Sequence, residues 1–185
     1  MNRFAPLIVG LSIFAVGCGD SSPNGPSQGA GTTTTSTFTI PLSSANEVPS
    51  ITNADASGSG TAIIALTVTK DNGGNITSAT ANFQITVTGF PAGTRVTDAH
   101  IHGASAGSNG GVLVNAGLGS GELTVTNGSG SVTRTGINVP ADRAAAILNN
   151  RAGHYFNVHT ALNPDGAIRG QLSDGSFDPG TAVPY

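Results

Sequence analysis

Residues 61–69, Thr-Ala-Ile-Ile-Ala-Leu-Thr-Val-Thr, and residues 81–88, Ala-Asn-Phe-Gln-Ile-Thr-Val-Thr, decide the fold. In the first, Ala62, Ile64, Leu66 and Val68 fall on one parity, with Thr61, Ile63, Ala65, Thr67 and Thr69 on the other. In the second, Ala81, Phe83, Ile85 and Val87 alternate with Asn82, Gln84, Thr86 and Thr88. A period of two places one set on each face of a strand. Asp71-Asn72-Gly73-Gly74 between them supplies turn chemistry, so the pair predicts an antiparallel hairpin. Shorter strand signals follow at about 96–102, 111–115, 121–126 and 130–137. Tyr155–Thr160 and Ala167–Leu172 flank Asn163-Pro164-Asp165-Gly166, a second strong turn. Only Pro140–Asn150, with its alanines, Ile147 and Leu148 behind a leading proline, reads as helix. The pattern predicts an all-β fold: an antiparallel, Greek-key-like β-sandwich with one short helix.

The ends of the chain read differently. Ala5–Val16 is an apolar run behind Arg3, well short of the roughly 20 residues a membrane-spanning helix needs. Residues 1–17 are therefore expected to be an export signal. Ala15-Val16-Gly17-Cys18 resembles a bacterial lipobox, which implies that Cys18 carries the lipid. Two or more acyl chains make such attachment stable, at about 0.8 kcal/mol per buried methylene. Residues 18–37, rich in Gly, Ser, Pro and Thr, are expected to form a flexible tether. The folded domain is expected over residues 38–173, followed by a loose tail at 174–185. This places the protein in the cell envelope, on the periplasmic or cell-surface side, with the membrane as a partner through the lipid.

Composition removes several classes of function. Charged residues make up 9% of the 185, against about 25% in an ordinary domain. Seven Lys and Arg against ten Asp and Glu exclude a nucleic-acid binder that works by neutralising phosphates. A single Cys excludes a disulfide framework and a thiolate zinc site. The threonines on the outer strand faces supply the wetting that charge does not. There is no Gly-X-Ser-X-Gly elbow, and Gly107–Gly111 lacks the Lys-Ser/Thr of a phosphate loop, so it reads as a turn.

The sharpest chemical signal is Asp98-Ala99-His100-Ile101-His102-Gly103. On a strand Ala99 and Ile101 suit the core, which turns Asp98, His100 and His102 to the opposite face. Two imidazoles at this spacing can share a divalent ion, given a further ligand. In Tyr155-Phe156-Asn157-Val158-His159-Thr160 the core-facing parity of Phe156 and Val158 leaves Asn157 and His159 on the other side. His159 can then join His100 and His102 around one copper or zinc ion, while His154 is expected at the rim. The competing reading is a hydrogen-bonded surface cluster that fixes loops. Arg169 is expected to point away from the core and pair with Asp98 or Glu47, so that Glu47, Asp98, Asn157 and Arg169 make structural polar contacts.

Leu42–Pro49, Ala99–Gly103, Tyr155–Thr160 and Pro164–Leu172 occur in the order seen in the CHRD domain, named from chordin, which the chain resembles over about residues 38–173. The resemblance implies a secreted or surface-attached domain. Ala99–Gly103 is also similar to the copper-binding His-X-His strand of copper/zinc superoxide dismutases. Those enzymes use six His, an Asp and a disulfide, which four His and one Cys cannot supply. The reading favoured by the sequence is a lipid-anchored, extracytoplasmic binding or structural module without catalysis. The alternative is a surface metal-binding, copper-type protein built on the His cluster. A hydrolase or a dismutase-like enzyme ranks below both.

Overall fold

The computed structural model describes residues 31–184; the expected export signal, Cys18 and the tether up to residue 30 lie outside the described residues. Strands β1 (Thr32–Ser43), β2 (Ser59–Lys70) and β3 (Ile76–Thr88) form a long antiparallel meander. Then come β4 (Arg95–His102), β5 (Val112–Asn115), β6 (Leu123–Thr124) and β7 (Ser129–Asn138). Helix α1 (Ala141–Asn149) leads to β8 (Tyr155–Thr160), β9 (Ile168–Gln171), β10 (Ser176–Asp178) and β11 (Val183–Pro184). The all-β, antiparallel character with one short α-helix among the described residues is what the pattern predicts.

Hydrogen bonding runs continuously in the order β5-β4-β8-β9-β1-β2-β3-β7, with β6 on β4. The sheet folds over on itself. Phe83 of β3 and Phe156 of β8 are distant along that path, yet their rings stack with centroids 5.8 Å apart. One apolar cluster joins both limbs, and the predicted inward parities hold: Ile64, Phe83, Ile85, Val87, Ala99, Ile101, Phe156 and Val158 are all buried. Burying alternate side chains on both inner faces is what ties strand register to the hydrophobic pattern.

Two boundaries differ from expectation. The strand begins at Thr32, so residues 32–37 are sheet and not tether. Thr33 and Thr35 meet Thr69 and Thr67 across the ladder, hydroxyl to hydroxyl at 3.1 and 2.7 Å. β-Branched threonines suit a pleated surface, and composition alone hid that preference. The tail is also held: β10 and β11 both pair with β1. Phe177 packs on Phe38 with centroids 4.9 Å apart, and the Arg151 guanidinium lies 4.0 Å over the Phe177 ring. An aromatic and a cation above it offset the ordering entropy that the tail's Gly and Pro suggest.

The topology brings β4 and β8 side by side, antiparallel, with His100 opposite Asn157 and Asp98 opposite His159. Because the core claims Ala99, Ile101, Phe156 and Val158, the alternating polar residues of both strands share one face. A register shift between Val96 and Asp98 adjusts the strand just before this stretch.

Candidate metal centre

His100, His102 and His159 converge. One ring nitrogen of each lies within 4.8 Å of the others. The face is turned away from the core, as expected, but it is covered: His102 and His159 are each only 7% exposed. Residues 103–111 and the turn at 163–166 close over it.

The outer nitrogen of every ring faces an oxygen. His102 Nδ1 lies 2.9 Å from the Gly110 carbonyl and His159 Nδ1 lies 2.8 Å from the Pro164 carbonyl. His100 Nε2 lies 3.0 Å from Asp98 Oδ2. Carbonyls only accept, so His102 Nδ1 and His159 Nδ1 carry protons and donate. His100 Nε2 faces both an acceptor, Asp98 Oδ2, and a donor, Asn115 Nδ2 at 3.2 Å. With its proton on Nε2 for Asp98, the opposite nitrogens, His100 Nδ1, His102 Nε2 and His159 Nε2, are left with lone pairs. This is the arrangement in which metal-ligating histidines are held by oxygen partners behind them.

The inner side is short of donors. His100 Nδ1 and His159 Nε2 are 3.0 Å apart, and Asn157 Oδ1 lies 3.0 Å from the same His159 nitrogen. His102 Nε2 is buried and has no hydrogen-bond partner in the protein. Moving the His159 proton inward only sets its Nδ1 lone pair against the Pro164 carbonyl. With the His100 proton on Nε2, the four acceptors His100 Nδ1, His102 Nε2, His159 Nε2 and Asn157 Oδ1 have no donor among them. With it on Nδ1, His100 donates to His159 and can accept from Asn115, but gives up Asp98, and His102 Nε2 stays unpartnered. A cation resolves the conflict, whether a proton or a metal ion.

Burial pushes both His100 and His102 below the usual imidazole value. For His100 the Asp98 carboxylate pulls the other way, and the neighbouring imidazoles add to the lowering. The site thus disfavours the proton at His100 and His102 and keeps both imidazoles neutral, the form in which they can act as ligands. Neutral imidazoles suit copper and zinc. Ligand distances of about 2.0–2.1 Å bring nitrogens on one ion to about 3.3–4.1 Å of each other. From the 4.8 Å limit of the cluster, the widest-spaced nitrogens therefore have to close by at most about 0.7–1.5 Å.

The remaining expected residues lie around this centre. Asp98 serves His100 and also accepts from the Ala99 amide at 2.8 Å. Arg169 does not reach Asp98; it is buried, with its Nε 3.6 Å from Glu47 Oε2. It had been expected to point outward, and it does lie off the core face, but beneath loops the strand pattern could not show. Burial raises the Glu47 carboxyl to about 7, against the opposing pull of Arg169 and of the Val48 amide. Gly166 lets Glu47 and Asn157 approach from one side: a Cβ there would meet Asn157 Nδ2 and Glu47 Oε1 at 2.8 Å, and its φ of +133° also favours glycine. His154, expected at the rim, is buried and donates its Nδ1 proton to the Asn150 carbonyl, apart from the cluster. Sequence reasoning missed the Gly110 and Pro164 carbonyls; strand parity put Tyr155 on the histidine face but gave no role to its ring, which stacks on His102 at 4.8 Å with a 4° interplanar angle. The only sequence signals for the carbonyls were two turns, read as connections.

The model of the CHRD domain matches residues 38–172. No curated protein and no solved structure matches the chain.

The raised Glu47 value has a testable consequence. A carboxyl whose folded value lies above its unfolded one takes up a proton on folding, so its contribution to stability falls as pH rises from 4.5 to about 7. Glu47→Gln removes that contribution. Melting temperatures measured from about pH 4.5 to 8 should show the variant gaining on the wild type as pH rises through this window. A difference that stays flat would show that Glu47 does not carry a raised value.

Proposed function

The chain belongs to the CHRD-domain family, and from that premise we propose that it is a non-catalytic, metal-binding module of the cell envelope. The observation that carries the reading is the convergence of one ring nitrogen each of His100, His102 and His159 within 4.8 Å, with an oxygen acceptor against the opposite nitrogen of every ring. Copper is favoured over zinc, since copper(II) stands higher in affinity at nitrogen donors. Asp98, by accepting from His100, raises the basicity of that ligand, while the two backbone carbonyls fix the other two rings. Asn157 Oδ1 is the nearest further donor. The low charge of the surface supports a module that recognises an ion or a neutral partner and not a polyanion.

The second part of the proposal concerns location. The lipobox-like Ala15-Val16-Gly17-Cys18 supports export and lipid attachment at Cys18. The direction of β1 gives this meaning: Thr32 pairs with Lys70 at one end of the ladder and Ser43 with Arg169 at the other. At about 3.3 Å per residue the strand separates those ends by roughly 36 Å. An anchor before Thr32 would thus join the domain at the end of β1 opposite the histidine centre.

Copper(II) or zinc(II) added to the purified mature protein should give one ion per chain by native mass spectrometry, lost in a His100→Ala/His102→Ala variant. Sub-stoichiometric metal that is the same in the variant would overturn the metal reading. Anchoring is checked separately in the native host. Wild-type protein should fractionate with membranes and Cys18→Ser should not; a variant that stays with membranes would contradict lipid attachment.

A further inference from the structure

We propose that Arg169 is a positioning residue for the metal centre, acting on His102 through the loop of residues 103–111. The proposal rests on the metal-binding reading for its purpose, and on the following geometry for its mechanism. Arg169 makes no hydrogen bond to any of the three histidines. Its Nη1 instead donates to the Ser108 carbonyl at 3.2 Å and to Asn109 Oδ1 at 3.0 Å. Asn109 in turn donates from Nδ2 to the Val48 carbonyl at 2.8 Å. The next carbonyl along the loop, that of Gly110, is the one that accepts the His102 Nδ1 proton.

The root of the loop is held without Arg169. The Gly103 amide donates to the Gly111 carbonyl at 3.1 Å, and Gln171 Nε2 donates to the Ala104 carbonyl at 3.1 Å. At Ser108 and Asn109, one residue from the carbonyl that sets the His102 tautomer, Arg169 adds two hydrogen bonds to those from the Ser108 amide to the Ser105 carbonyl at 3.2 Å and from Asn109 to Val48. Arg169 is itself fixed by donating from Nε to the Asn46 carbonyl at 2.6 Å. Its guanidinium carbon lies 4.6 Å over the Tyr155 ring, the same ring that stacks on His102. One buried cation therefore holds both the acceptor that selects the His102 proton position and the plate that sets its ring plane.

Without this hold the Gly110 carbonyl is restrained only by the long 3.4 Å contact of its own amide to the Tyr155 hydroxyl and by the neighbouring loop bonds, and its grip on the His102 Nδ1 proton loosens. A proton on Nε2 blocks the one lone pair through which His102 meets an ion. The expected loss is that of other second-layer partners of a metal site, about 10–100-fold in affinity.

The test uses the mature protein, its Arg169→Gln variant and an Asn109→Ala variant, the latter at an exposed loop position that leaves the buried Arg169–Glu47 contact intact. Zinc(II) competition titrations give affinity, and nitrogen-15 NMR of the metal-free proteins reads the histidine tautomers. Arg169→Gln should weaken zinc binding about 10–100-fold. It should mix the His102 tautomers while leaving His159, held by the Pro164 carbonyl outside the loop, unchanged; Asn109→Ala should shift both readouts the same way by less. Unchanged His102 tautomers in the variants, or an equal disturbance of His159 from general loosening, would overturn the proposal. If Arg169→Gln does not fold, Asn109→Ala decides by the same criteria. If the wild type binds no zinc or copper, the metal reading fails, and the His102 tautomer alone decides whether Arg169 positions that ring.

Discussion

The 3.0 Å contact between His100 Nδ1 and His159 Nε2 is the constraint around which this end of the molecule is organised. Two nitrogens that both present lone pairs repel each other, the more so because His159 is buried and the His100 side chain is only 12% exposed. The contact persists because each ring is held from behind: His100 by a carboxylate, His159 by the Pro164 carbonyl. Turning the His100 proton inward relieves the repulsion but exchanges the Asp98 hydrogen bond for one from Asn115 Nδ2, 3.2 Å away. A bound metal ion would relieve it with the outer bonds kept, and would also engage His102 Nε2, which has no partner in the protein.

The sandwich makes this arrangement affordable. Central strands β4 and β8 are bonded on both edges, so their side chains cannot drift along the ladder. Their core-facing residues are large or tightly buried, with Phe156, Val158 and Ala99 completely excluded from solvent. The histidines thus inherit their separation from the register of a packed sheet. The loops above contribute orientation, through single carbonyls placed at Gly110 and Pro164. Rigid strands set where the ligands stand, and loop backbone sets which nitrogen faces inward.

How much of this was legible in the sequence depends on which interactions were local. Alternation in Thr61–Thr69 and Ala81–Thr88 revealed the hairpin because one face is buried and the other is not. The same parity argument placed His100, His102 and His159 on one face, and adjacency of β4 and β8 then completed the trio. Thr32–Ser36 misled because threonine in a Gly- and Ser-rich neighbourhood looks like linker, and its pairing with β2 is a contact across more than thirty residues. Arg169 misled for a related reason. Strand parity showed that it left the core, but the segment at Asn46–Glu47 and the returning loop at 103–111 together bury it. The two carbonyl acceptors were invisible, since a backbone oxygen has no residue type.

The most direct test of the centre is X-ray absorption spectroscopy of copper- or zinc-loaded protein, which counts imidazole ligands independently of affinity. The expected result is three imidazole nitrogens at about 2.0–2.1 Å from one ion. A first shell of oxygens with one imidazole or none would contradict the account, because it would mean that the inward lone pairs of His100, His102 and His159 do not meet on a common ion.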